Sequence, residues 1–211
     1  MDTRLLRRGR PQKPEPQGPP PRWPGATQKF ALFGEVLGVG VLVTVGLLPI
    51  VTIPATLSAA CRHLLRYLRG EQSSLGRALR DFRETLPGGL VVGLCWAVAM
   101  AVLLTDAALA SSGLLPGGSA LLPVMLAATA VLTVVMLRVA QSWEPVGRWR
   151  SALKEGWQHA RTDLTGSAYL LAAIGIAVLV TWQLPPLIVP ALGCLVFAVV
   201  AIAIRREERV S

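Results

Sequence analysis

Asparagine is absent from the chain, and lysine occurs only as Lys13, Lys29 and Lys154 among 21 basic residues. This bias toward arginine points to a GC-rich bacterial genome. Charge as a whole is scarce: 16% of the 211 residues are Asp, Glu, Lys or Arg, against about 25% in an ordinary soluble domain. Cys61, Cys95 and Cys194 lie far apart, in or beside apolar segments, with no CxxC spacing. Neither a zinc site nor a redox pair is indicated, and the thiols read as small hydrophobes. No HExxH, GxSxG or glycine-rich phosphate loop occurs, and His63 and His159 both fall in basic segments. We therefore expect no enzyme: no catalytic residue, no metal and no cofactor.

What is present is apolar sequence, 53% of the chain, gathered into long runs. Residues 31–48 form the first, and a shorter stretch continues through Cys61 to Leu68. Runs at 88–110, 119–140, 166–184 and 187–204 follow. A membrane-spanning helix needs about 20 apolar residues at ~1.5 Å each, which the four later runs supply. Residues 1–29 are basic and rich in proline, so they read as a disordered cytoplasmic arm. No cleavable leader is expected, because the first apolar run starts only at Phe30.

The 21 basic residues decide the topology. Seven lie in the arm, six in 62–83, five in 138–161 and three in the tail 205–209. Cytoplasmic flanks carry the excess of Lys and Arg. If residues 30–68 form a hairpin, all 21 fall on one side; if they cross once, the basic clusters are divided between the two sides. The hairpin is therefore expected. The prolines agree, since Pro49 and Pro54, Pro116 and Pro123, and Pro185 and Pro190 flank three arginine- and lysine-free tips. The expected fold is all-α: a polytopic bundle of five to six membrane-inserted helices in three hairpins, over residues 30–205. Both termini are cytoplasmic, with a tail at 206–211, in a bacterial inner or plasma membrane.

Two connectors, near 70–86 and 142–164, read as amphipathic helices lying among lipid headgroups. Leu75, Leu79, Phe82 and Leu86 share one helical face, and Trp149, Leu153 and Trp157 recur at spacings of four with Trp143 just before. Basic polar faces with aromatic apolar faces suit the interface, so Phe82, Trp143, Trp149 and Trp157 are the expected anchors; docking on a partner protein is the competing reading. The net charge of +9 is assigned to anionic headgroups. No nucleic-acid partner is expected.

Functional candidates are few. Glu35 is an acid inside the first apolar run, and such groups are candidates by default; its place in the first turns, near Lys29, favours a structural role. Pro54 breaks the helix pattern, freeing carbonyls that Thr52 and Thr56 can satisfy or share with a substrate. An ordinary hairpin turn is the simpler account of that segment. Gly38, Gly40 and Gly46 read as positions of close helix packing.

The stretch Pro54-Ala55-Thr56, then Arg69-Gly70-Glu71, then Phe82 with Gly88-Gly89-Leu90 resembles the YesL-like family of small bacterial membrane proteins. The match is best over residues 34–95, and it departs in having one phenylalanine where the family tends to several aromatics. The resemblance implies no catalytic residues. It implies a non-enzymatic accessory or assembly role, with a sugar-transporter component as partner in carbohydrate uptake. A small transporter or channel using the 49–56 break is the alternative.

Overall fold

The computed structural model describes residues 29–71, 74–112, 117–145 and 149–210. The arm up to residue 28, Pro116 and Ser211 lie outside the described residues. Among the described residues seven α-helices follow one another: α1 (Lys29–Gly46), α2 (Ile53–Leu68), α3 (Leu75–Ser111), α4 (Gly118–Gln141), α5 (Trp149–Thr162), α6 (Leu164–Gln183) and α7 (Ile188–Val210). One-turn 3-10 helices at Ile50–Thr52 and Pro185–Leu187 carry the chain into α2 and α7. No strand occurs among the described residues.

Five helices, α1, α3, α4, α6 and α7, are long and apolar enough to cross a membrane. Most of their large side chains face outward: Val98, Val102, Val124, Val131, Ile176 and Val178 are all more than half exposed. An outward apolar surface on helices of this length suits lipid, and the chain is a multi-pass membrane protein.

The sixth helix differs. α2 has 16 residues, about 24 Å of rise, short of a ~30 Å hydrocarbon layer. It is also the most enclosed helix, with every residue from Pro54 to Cys61 buried. Pro54 sits in its first turn, where the missing N–H costs nothing. Of the five or six inserted helices expected, five are full-length and the second leg of the first hairpin is a short central helix. The core forms around it: Leu57, Leu64 and Leu68 meet Val39 and Val43 of α1, Leu137 of α4 and Val199 of α7.

Glycines set how closely the helices approach. A Cβ at Gly40 would run into the Val189 carbonyl, and one at Gly193 into the Val36 carbonyl. α1 and α7 are thus interlocked backbone to backbone. Gly93 of α3 lies equally close to the Val51 carbonyl. Of the three glycines expected at close contacts, Gly40 and Gly46 are there, whereas Gly38 faces open space.

The connector near 70–86 is corrected by the structure. It is not a separate interfacial helix but the first three turns of α3, which runs unbroken through Pro87 to Ser111. At 37 residues α3 is about 55 Å long, so its charged start extends beyond a bilayer core that 88–111 can span. Ser74 caps it, accepting from the Arg77 N–H at 3.4 Å.

Candidate functional site

The ion pairs among the described residues gather at one end of the bundle. Arg62 of α2 reaches Asp81 of α3 at 3.1 Å, and Arg66 pairs with the same carboxylate. Glu35 of α1 meets His63 of α2 at 2.5 Å. Arg138, at the end of α4, donates to Asp163 before α6 at 2.9 Å. Arg69 and Glu207 face each other at 3.6 Å. The start of α1, the end of α2, the start of α3, the end of α4, the start of α6 and the end of α7 are thereby held at the same end, as alternating up-and-down helices require.

Aromatic side chains cover this cluster. Trp143 is buried, 5% exposed, with the Arg62 guanidinium 5.3 Å from its ring centre. Trp149 lies 6.1 Å from Trp143, centre to centre, and donates its indole N–H to the Thr85 carbonyl at 3.1 Å. Its ring occupies the space that side chains at Gly88 and Gly89 would need. Trp143 and Trp149 therefore act inside the protein, not as the lipid anchors expected of them. Trp157 is 48% exposed, with Arg161 over its ring. Phe82 is half-buried; the face of α3 that packs inward is instead Ala78, Asp81, Thr85 and Gly89.

α5 presses its small residues, Ala152 and Gly156, against α4, where Gly156 leaves no space beside the Val139 backbone. Leu153 and Trp157 face outward, beside exposed Arg150, Lys154 and Arg161.

The break at 49–56 is self-contained. The Thr52 hydroxyl lies 2.7 Å from both the Gly46 and the Pro49 carbonyl. The Thr56 hydroxyl is 3.2 Å from Gly46 O and 3.0 Å from Thr52 O. Thr56 is 1% exposed. These hydroxyls serve carbonyls of the turn itself, and the break forms a packed corner. Glu35 does stand near the polar end, and its partner is His63, a residue the sequence reading had set aside.

Asp163 and Arg138 were also missed. Arg138 is fully buried, and its Nε and Nη1 have no hydrogen-bond partner among the described residues. Burial works against the charge on Asp163, but the Gly166 N–H and the Arg138 guanidinium outweigh it and hold the carboxyl below its usual range. Burial, with Arg206 and Arg138 nearby, pushes the His159 imidazole down; its Nδ1 lies 3.3 Å from the Ser142 hydroxyl.

Both shifts have the same sign for stability. The unfolded chain takes up a proton at His159 first, so stability falls as pH drops below about 6.5. The Asp163 contribution is complete above about 3.9 and is lost as pH falls toward the lowered folded value. An unfolding series against pH should show both declines, and His159→Gln should remove only the first. Among the described residues no group of three or more His, Cys, Asp or Glu side chains is placed to hold a metal. No family model, no curated protein and no solved structure matches the chain.

Proposed function

We propose that the chain is a non-enzymatic accessory or assembly component of a bacterial inner or plasma membrane, with its basic end and both termini in the cytoplasm. The observation that carries this reading is the outward face of α5. Leu153 and Trp157 stand exposed at the charged end, flanked by Arg150, Lys154 and Arg161, on a helix whose inner face is already used. Such a face rests among anionic headgroups and presents the polar end to a membrane partner. The resemblance to the YesL-like family names that partner's class as a sugar-transporter component.

The test is co-purification in mild detergent from membranes of cells grown on different carbohydrates. The tagged chain is expected to retain a transport component, and Leu153→Ser with Trp157→Ser to release it without loss of the monodisperse bundle. A chain that stays without partners under every growth condition contradicts the reading.

One observation favours the alternative, a small transporter: the Glu35–His63 pair is an ionisable couple on two helices of the bundle. Purified chain in liposomes would then carry solute or protons, with flux lost in Glu35→Gln. The hydroxyls of Thr52 and Thr56 are occupied by backbone carbonyls. Thr52→Val is therefore expected to leave any flux unchanged and to lower stability by about 1 kcal/mol, measured by unfolding in mixed micelles.

A further inference from the structure

We infer that the seam between α6 and α7 seats one anionic phospholipid, with an acyl chain in its apolar groove and the phosphate at Arg205 and Arg206. The inference narrows the headgroup contact proposed above from a surface to a defined seat, and it does not depend on the accessory role.

The groove has a volume of about 360 Å³ and is lined by residues that include Ala173, Ala177, Val180, Pro190, Ala191 and Cys194. Small side chains facing each other across the seam leave room for a chain of methylenes. Helical spacing carries this face up to the charged end. On α6, Tyr169, Ala173, Ile176 and Val180 follow at steps of four, three and four, which keeps them on one face. On α7, Arg205 lies eleven residues after Cys194, and Ile202 eleven after Ala191. Eleven residues are about three turns, so Arg205 stands above the groove on the same stripe. The rise between Cys194 and Arg205 is about 16 Å, roughly half of a ~30 Å hydrocarbon layer. A phosphate at Arg205 thus falls at headgroup depth when the chain end lies in the groove.

The upper end is built for an anion. The Arg205 guanidinium lies over the exposed Tyr169 ring at 5.3 Å, which orients its donors. Arg206 stands beside it at a small cavity that both arginines share with Asp163, Gly166 and Ile202. The Arg206 Nη1 is buried without a hydrogen-bond partner among the described residues. Asp163, on the rim of the same cavity, accepts from Arg138 and the Gly166 N–H, and Glu207 faces Arg69. Two guanidiniums in this setting match the oxygens of a phosphodiester. The groove in line with them selects a lipid over a free ion.

The experiment compares phosphatidylglycerol with phosphatidylcholine of the same acyl chains, and with inorganic phosphate, on the purified chain in detergent. Thermal unfolding reads stabilisation, and native mass spectrometry reads retained lipid, so a less stable variant still reports. Phosphatidylglycerol is expected to be retained and to raise the melting temperature above the phosphatidylcholine value. Arg205→Gln with Arg206→Gln should weaken its binding roughly 30-fold, at ~1 kcal/mol per basic residue and tenfold per ~1.4 kcal/mol. Ala177→Trp, which fills the groove, should reduce retention of both lipids. Equal retention of the two lipids, an unchanged preference in the double arginine variant, or full reproduction of the effect by inorganic phosphate would overturn the proposal. So would an equal loss in Arg150→Gln, which would mark a general charge effect.

Discussion

Asp163→Ala is expected to lower the unfolding free energy by about 3–5 kcal/mol, measured by denaturant titration in mixed micelles. The cause is the side chain it abandons. Arg138 has no solvent-exposed surface and its ion-pair partner is the Asp163 carboxylate. Removing that carboxylate leaves a buried guanidinium with nothing to balance it. The substitution also removes the cap on the Gly166 N–H, worth about 1 kcal/mol alone. Arg138→Met should cost less, because Asp163 keeps its cap and is 22% exposed at its side chain. The double variant Arg138→Met with Asp163→Asn should recover most of the loss, since replacing both members of a buried pair removes the desolvation cost of the charges. If the two single variants are equally mild, α4 and α6 are not joined through this pair.

The second large effect is expected where α1 meets α7. Gly40→Val places a side chain against the Val189 carbonyl, and Gly193→Val against the Val36 carbonyl. In each case the obstacle is backbone, which cannot rotate away as a side chain can. Overpacking costs about 1–3 kcal/mol where neighbours can shift, and these positions should reach or pass the upper figure. Gly38→Ala, two residues from Gly40 but facing open space, should instead be neutral or stabilise by up to ~1 kcal/mol through helix propensity. Thermal unfolding of the three variants in one detergent checks the contrast. Similar losses in all three would contradict a seam governed by backbone contact at Gly40 and Gly193.

The membrane class and the hairpin pattern could be read from the chain because lipid imposes them through length and charge. Five apolar runs became five long helices, and the arginine-rich flanks gathered at one end through Arg62, Arg66, Arg138 and their carboxylate partners. The charged segment 75–86 reads as a helix of its own because its polar face stops where the apolar run begins, yet α3 continues through Pro87 without a break. A proline removes one hydrogen bond, and a helix with long flanks on either side absorbs that loss. The inward face of α3 was missed for a related reason. Large apolar residues in a membrane protein mark lipid as often as core, and the packed face is the small and polar set Ala78, Asp81, Thr85 and Gly89.

The ion pairs were only partly readable. Arg138 lies inside the apolar run 119–140, and a lone arginine there demands a partner. Its position near the end of the run let it pass as part of the following basic segment. Nothing in spacing alone joins it to Asp163, or Glu35 to His63, because each pair forms between helices that only the tertiary fold brings together. Trp143 and Trp149 passed as anchors because an interfacial tryptophan and a tryptophan packed over glycines look alike in sequence.

The account stands on the charged end and the proline-bearing tips lying on opposite sides of the membrane. Single cysteines at Glu155 on α5 and at Leu48 beside Pro49, in a chain with Cys61, Cys95 and Cys194 replaced by alanine, test it most directly. A membrane-impermeant maleimide applied to intact cells should label Leu48→Cys at once and Glu155→Cys only after the membrane is opened. Labelling of Glu155→Cys in intact cells would contradict the account.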